Sequence, residues 1–262
     1  MVGGIKLSIA KKLYNKALEN LTDDVIIEDF IIGIGETAVK LSDGRVGFVA
    51  TNREDTLGKC EEFYKCMGLD GKPESKANIG MKAKDLLEVG LFSGDPLLRS
   101  VSYAALNAVF NKNPERFVGG DTLELMEFKK NDVVGMIGEI TPFVEILKPK
   151  VWDVLVFDRQ RRSDEVLPDW AIIEMLPKCS AVIITGTSIV NGTIDWILNY
   201  VNTDRVAIAG PSTMMVEDVF PVKILSGAYV ENGDLLFDLI KKGAGTRTLF
   251  RSGAARKVNL LF

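Results

Sequence analysis

The sequence contains no histidine, and this absence excludes several kinds of functional site. Imidazole is the usual general base near neutral pH, the most frequent zinc ligand and a member of the serine hydrolase triad. Cysteine is scarce as well, with only Cys60, Cys66 and Cys179. An odd number of sparse thiols favours a reducing, cytoplasmic location over a disulfide framework. Five residues separate Cys60 from Cys66, more than in a zinc knuckle, so we expect no tightly bound zinc or copper.

The chain also lacks a long apolar run and a strong excess of charge of one sign. No apolar stretch approaches the roughly 20 residues that span a bilayer, and the first ten residues lack the apolar core of a signal peptide. The 32 basic and 36 acidic residues give a net charge of −4. We therefore expect neither a membrane nor a nucleic acid as partner.

The second half of the chain alternates short apolar runs with helical segments. Such alternation predicts a parallel sheet, and polar, glycine-containing loops follow several of the runs. The five predicted strands are 132–140, 151–157, 181–184, 206–209 and 222–225, and a last helix is predicted at 235–242. The fold class is thus α/β, with a Rossmann-like parallel sheet domain at 121–262.

The first half has a different pattern. An amphipathic helix is predicted at 5–21, and alternating residues with a hairpin signal at 42–45 predict a three-stranded antiparallel meander within 25–49. Helical periodicity resumes at 83–92 and 96–110, where Asp95 is the expected cap and Pro96 the first helical residue. Strands followed by helices indicate a smaller α+β domain at 1–120, with the boundary region within 111–130.

A dense set of hydroxyl and amide groups follows the run at 181–184. In open α/β sheets ligands bind at the carboxyl ends of the strands, which makes these residues candidate ligand contacts. Capping of the next helix by Asn191 or Thr193 is the alternative, and it explains one or two of the side chains. The set comprises Thr185, Gly186, Thr187, Asn191 and Thr193.

Three other loops supply further candidates. Glu139 and Asp158 each follow a predicted strand, and we expect them to act as an acid and base pair. The expected ligand contacts beside them are Gly138, Arg159, Gly210 and Ser212. Across the cleft we expect Asn107 and the turns that carry Glu36, Thr37 or Thr51. Asn107 has the alternative of an internal structural role, because a buried amide needs hydrogen-bond partners.

The motifs resemble one known family. The runs VVGMIGEITPFVEILK, FDR, IITGTSIVNGTIDWIL, AGPST, LSGAYV and GAG are similar to those of the family described as putative heavy-metal chelation. The resemblance implies an enolase-N-terminal-like domain joined to a Rossmann-like domain, with the site in the cleft between them. It also implies a role in condensation or hydrolysis of pterin-like, flavin-like or siderophore-like molecules. This chain has Asp158-Arg159 where the family pattern has Glu-Arg.

Three functions remain open at this stage. The first is a protein that binds or converts a small polar ligand, with any link to heavy metals made through a small chelating molecule. The second is an S-adenosylmethionine-dependent methyltransferase, because Gly138 and Asp158 have the spacing of a nucleotide-binding fold, although the motif is G-x-x-G and does not predict a pyrophosphate site. The third is a non-enzymatic ligand sensor. The cofactor is unknown, and a homodimer remains an open alternative.

Overall fold

The computed structural model describes residues 7–55, 76–160 and 163–262. The first half contains the predicted meander, with the strands β1 (Ile27–Ile32), β2 (Glu36–Leu41) and β3 (Val46–Ala50) paired antiparallel in that order. Its helices are α1 (Ile9–Leu18), α2 (Ala83–Gly90) and α3 (Pro96–Phe110). The Asp95 carboxylate caps α3 by accepting from the backbone N–H groups of Leu97 and Leu98, as predicted.

Helix α3 lies directly against the meander because Gly47 has no side chain. A Cβ atom at Gly47 would lie 2.1 Å from the backbone nitrogen of Ala108, which no packing adjustment accommodates. The helix is buried along most of its length. It therefore forms the centre of the first half and also faces the second half.

A seven-stranded sheet forms the second half and confirms the predicted α/β fold with a mostly parallel sheet. The spatial order is β10-β9-β8-β7-β4-β5-β6, all parallel except for the antiparallel pair of β10 with β9. The strands are β4 (Val133–Ile137), β5 (Asp153–Phe157), β6 (Val166–Leu167), β7 (Ala181–Thr185), β8 (Val206–Ala209), β9 (Ile224–Val230) and β10 (Ala255–Leu261). Strands β6 and β10 were not predicted, because the first has two residues and the second places Arg256 and Lys257 on the solvent side.

Short helices connect these strands. They are α4 (Thr122–Leu125), α5 (Thr141–Leu147), α6 (Ile172–Met175), α7 (Thr187–Val190), α8 (Ile194–Leu198), α9 (Gly233–Lys241) and α10 (Thr246–Arg251). The helix predicted after β7 is α8, which begins at Ile194 with Thr193 in the N-cap position, although no side chain caps it with a hydrogen bond. The short helix α7, which was not predicted, precedes it, and Gly192, with φ +81°, turns the chain between the two.

The hydrophobic core joins the two halves of the chain. Its largest cluster includes Leu106 and Val109 of α3 together with Ile184 of β7. A separate cluster packs Leu236 and Ile240 of α9 against Phe48 of β3, so the C-terminal region covers the meander. None of the helices in the described parts of the chain has the length and apolar character to cross a membrane.

Candidate functional site

A cavity opens where the carboxyl ends of three adjacent strands meet. The connection after β4 leads to β5 on one side and the connection after β7 leads to β8 on the other, so the boundary between β4 and β7 is a topological switch point, where α/β proteins bind ligands. The cavity, here called the site cavity, has a volume of about 240 Å³. Eight of the predicted residues line it: Gly138, Glu139, Asp158, Arg159, Thr185, Thr187, Asn191 and Thr193.

Gly138 shapes the floor of the site cavity. Its φ of +83° is in the left-handed region, and its backbone N–H donates to the carbonyl of Phe157 at 2.8 Å. A Cβ atom here would lie 2.6 Å from Cγ2 of Thr185. The absence of a side chain thus lets the chain leave β4 next to the Thr185 side chain.

The carboxylate of Asp158 fixes the two loops beside it. Oδ2 accepts from the backbone N–H of Glu139 at 3.0 Å, and Oδ1 accepts from that of Gln160 at 2.8 Å. Both oxygens therefore have backbone donors, and the side chain holds Glu139 at the end of β4. This geometry favours a positioning role for Asp158 over proton transfer.

The carboxylate of Glu139 differs from that of Asp158 in its hydrogen bonding. Its Oε2 atom is buried and has no hydrogen-bond partner among the described residues. A buried carboxylate oxygen without a donor costs free energy, typically about 1–3 kcal/mol and more for a charged group. An incoming hydrogen-bond donor would recover that cost, which makes Glu139 the strongest candidate for a direct ligand contact.

The loop after β7 supplies uncharged polar groups. The Thr187 hydroxyl lies 3.3 Å from that of Thr185, and Ser188 donates to the carbonyl of Thr185 at 2.7 Å. Oδ1 of Asn191 accepts from both the N–H and the hydroxyl of Thr193, at 3.1 and 2.7 Å. These bonds order the turn and place the side chains on the cavity wall.

One ion pair connects the first half of the chain to the site cavity. Nη1 of Arg159 lies 3.2 Å from Oδ1 of Asp55, and both side chains are more than one-third exposed. Asp169 is a further acidic residue on the cavity wall. Among the residues that the structure describes, the lining thus carries three carboxylates and one guanidinium, and that guanidinium already has an acidic partner.

The other predicted residues lie outside the site cavity and join parts of the fold. The Ser212 hydroxyl accepts from the N–H of Ala50 at 2.9 Å, and the Asn107 amide donates to the carbonyl of Pro211 at 2.9 Å. Thr37 and Thr51 share a hydrogen bond of 2.9 Å. Gly186 and Gly210 donate to the carbonyls of Ala209 and Ser226, at 2.8 and 3.0 Å. Asn107 thus makes an internal contact through its amide nitrogen, whereas its Oδ1 atom is buried and has no hydrogen-bond partner among the described residues.

Sequence reasoning missed several residues of the lining. Trp196 and Asp169 are the chemically informative ones, and Ser188 adds a hydroxyl. Trp196 lies on α8 one turn beyond Thr193, and its side chain reaches the cavity from that helix. No sequence signal marked Asp169, which begins the short helical segment after Pro168.

Cys179 is not a nucleophile candidate. The thiol is buried at the start of β7, and burial raises its pKa to about 11. A thiol with that pKa is protonated near neutral pH, and the thiolate is the reactive form. The residue packs against Gly135, where a Cβ atom would lie 3.0 Å from the Cys179 sulfur.

The lining does not fit a soft heavy metal. Such ions prefer thiolate and imidazole, whereas the site cavity offers carboxylates and hydroxyls. Within 7–55, 76–160 and 163–262 no group of three or more candidate ligands lies together. Cys60 and Cys66 lie outside the described residues.

Replacing Gly138 with alanine is expected to destabilise the protein more than replacing Gly243, although both have positive φ. Gly243→Ala adds conformational strain alone, because nothing lies within 4 Å of its Cβ position, and should cost about 1–2 kcal/mol. Gly138→Ala adds contact with Thr185 and should cost about 2–4 kcal/mol. Urea unfolding measures both, and equal losses would show that Thr185 moves away without cost.

Known proteins share both the sequence pattern and the fold. Two family models, each described as putative heavy-metal chelation, match residues 121–259 and residues 14–110. An uncharacterized protein of Methanocaldococcus jannaschii is 30% identical over 182 residues, which cover 64% of this chain and 68% of that protein.

Two solved structures of proteins of unknown function from the DUF364 family have the same fold. The protein from Pyrococcus horikoshii superposes with a TM-score of 0.78 at 22% identity, over 97% of this chain and all of that one. The protein from Desulfitobacterium hafniense gives a TM-score of 0.73 at 18% identity, over 97% and 98%.

The family match agrees with the resemblance predicted from the motifs. The model that matches residues 121–259 covers more than half of the 262 residues. It includes every strand of the large sheet except the end of β10, and all the residues that line the site cavity. The chain therefore belongs to the family described as putative heavy-metal chelation.

Proposed function

We propose that this protein binds a small polar molecule with hydrogen-bond donors in the site cavity, and that Glu139 is the main acceptor. The observation that carries the proposal is the buried Oε2 atom of Glu139, which has no partner among the described residues. Its position at a topological switch point is the usual place for a ligand in an α/β fold.

The charges around the cavity narrow the class of ligand. Glu139, Asp158 and Asp169 line it together with Arg159, and Asp55 already pairs with that arginine. A negatively charged ligand would meet an excess of carboxylates. A neutral or positively charged ligand, such as one with an amino group and hydroxyls, matches the lining.

Glu139 is also the residue placed to exchange a proton with the ligand. Asp158 accepts two backbone hydrogen bonds, so its task is to orient Glu139. Condensation or hydrolysis of a pterin-like, flavin-like or siderophore-like molecule needs one such proton donor and acceptor. The link to heavy metals would then run through a small chelating molecule, because the carboxylates and hydroxyls suit organic donors better than a soft metal ion.

The two alternative functions, a methyltransferase and a ligand sensor, require different features of the site cavity. A methyltransferase needs close backbone approach by a glycine-rich loop after β4, and among the described residues Gly138 is the one glycine that lines the cavity. A sensor needs the same binding without turnover. Incubation with a bound ligand, followed by mass spectrometry for product, separates a sensor from an enzyme.

Ethanolamine is a suitable probe because it combines an ammonium group with a hydroxyl. We expect it to shift the indole N–H NMR signal of Trp196, whereas glycolate, with the opposite charge, should leave it unchanged. Glu139→Gln should weaken ethanolamine binding by about tenfold or more, as expected for a hydrogen bond to a charged group. The signal is assigned by its loss in Trp196→Phe.

Glu174→Gln is the matched control, because Glu174 is an exposed glutamate on α6 outside the site cavity. Its affinity for ethanolamine should equal that of the wild type. Tighter binding of glycolate than of ethanolamine, or equal losses in both glutamate variants, would contradict the proposal.

A further inference from the structure

A second cavity, here called the apolar cavity, lies beside the site cavity at the edge of the large sheet. Its volume is about 500 Å³. Side chains from both faces of the sheet edge line it, with α5 on one side and α6 on the other. The apolar wall consists of Val144, Val154, Leu155, Val156, Val166, Leu167 and Met175.

The cavity exists because the edge strand of the sheet is short. Strand β6 pairs with β5 only at Val156 and Phe157. Along Asp153 to Leu155, β5 has no neighbouring strand on that side among the described residues. The space that a longer edge strand would fill is left open between the two helices.

Glu139 lines both cavities, so its side chain lies at the boundary between them. The site cavity alone, at about 240 Å³, is smaller than the roughly 300–1,000 Å³ typical of ligand pockets. With the apolar cavity added, the space falls within that range. A ligand that contacts Glu139 can therefore extend past it into the second cavity.

The rim of the apolar cavity selects against an anion. Glu145, Asp153 and Glu165 lie on it together with Lys148. The Nζ atom of Lys148 lies 2.6 Å from Oε2 of Glu165, so this ammonium group is already paired with a carboxylate. An uncharged apolar group fits both the wall and the rim.

We propose that the apolar cavity binds an aromatic or aliphatic group of the same ligand whose polar, amine-bearing end contacts Glu139. This inference rests on the proposed function of the site cavity. It assigns the ligand to the class of amphiphilic amines, with a hydroxylated or amino end and an apolar group attached to it.

A pair of probes that differ in one group tests this assignment. Ethanolamine carries the polar end alone, and 2-amino-1-phenylethanol carries the same end with a phenyl group. We expect the phenyl compound to bind the wild-type protein about tenfold more tightly or better, as burial of an aromatic ring implies. Titration of the Trp196 indole N–H signal gives both affinities.

Two variants fill the apolar cavity from different walls. Val144→Phe acts from α5 and Val154→Phe from β5, so a folding defect in one leaves the other. Each should reduce the affinity ratio of the two probes to about one and leave ethanolamine binding unchanged. Val89→Phe, on the exposed face of α2, is the control and should keep the wild-type ratio.

The results distinguish this inference from the function on which it rests. Failure of ethanolamine to bind would overturn the proposed function. Ethanolamine binding with no gain from the phenyl group would overturn the second site alone. A gain that persists in both filled variants would place the phenyl group elsewhere and would also overturn it.

Discussion

Replacing Asp132 with alanine is expected to lower the free energy of unfolding by about 3 kcal/mol. Asp132 is 4% exposed at the start of β4, and its carboxylate accepts from Arg205, from the Ser180 hydroxyl at 2.8 Å and from the Lys129 N–H at 2.6 Å. The two bonds from Arg205 are 2.7 and 3.0 Å. Loss of one partner of a buried ion pair costs about 3–5 kcal/mol, and the partly exposed Arg205 places this case at the lower end.

The matched control is Asp238→Ala, which breaks the exposed ion pair of Asp238 with Lys242. Surface pairs of this kind contribute less than about 1 kcal/mol. Urea unfolding at neutral pH measures both variants. Equal losses would show that the Asp132 cluster does not hold the amino ends of β4 and β7 together.

The contribution of Asp132 to the free energy of unfolding depends on pH in a defined direction. The hydrogen bonds from Arg205 hold its pKa at about 2, below the usual aspartate value of 3.8. A carboxyl group with a lowered pKa in the folded state contributes stability that is present above the unfolded pKa. That contribution is lost as the pH falls from about 4 toward 2.

Glu36 is expected to produce the opposite dependence, with the free energy of unfolding falling as the pH rises. The side chain is 3% exposed in β2, and its Oε1 accepts from the N–H of Thr246 at 3.1 Å and from the Thr246 hydroxyl. Its Oε2 has no partner among the described residues. Burial raises the pKa of Glu36 to about 7, against the lowering effects of Thr246 and Arg53.

The sign follows from proton binding. Between the unfolded pKa of 4.5 and the folded pKa of about 7, the folded state holds a proton that the unfolded state has released. Stability from this group is complete below pH 4.5 and is lost as the pH rises to 7. At about 1.4 kcal/mol per pKa unit, the loss is about 3 kcal/mol.

Unfolding curves of the wild type and Glu36→Gln between pH 4 and 8 measure this loss. Glutamine keeps an oxygen for Thr246 but does not ionise, so the difference between the two curves should change by about 3 kcal/mol. Thr246→Ser keeps the hydroxyl donor and should retain the wild-type dependence. Parallel curves for the wild type and Glu36→Gln would mean that water or another group solvates the carboxylate.

The hydrophobic pattern of the sequence predicted most of the fold, because the central strands and helices have clear apolar patterns and clear ends. Strand β7 is a continuous apolar run, and α3 starts at the predicted Asp95-Pro96 cap. Strand β10 was missed because its charged residues interrupt the run, and its burial depends on the antiparallel pairing with β9. The hydrophobic pattern of a segment reflects the burial of its own residues, and it does not show which other strand the segment pairs with.

The site was predictable where it depends on topology alone. Glu139, Asp158 and Thr185 lie at or just beyond the carboxyl ends of parallel strands, so they lie at the same end of the sheet whatever the strand order. Ser212 follows such a strand as well, but its loop packs against Ala50 of the meander. That packing depends on the contact between the two halves of the chain, which the sequence pattern does not encode.

The role of Glu139 as the acceptor for the ligand is tested most directly by a crystal structure of the protein with ethanolamine. The ammonium nitrogen should lie roughly 2.7–3.2 Å from Oε2 of Glu139. The carboxylate of Asp158 should keep its hydrogen bond to the Glu139 N–H in that complex. An amine bound elsewhere, with Oε2 of Glu139 paired to a protein donor, would contradict the assignment of this cavity as the ligand site.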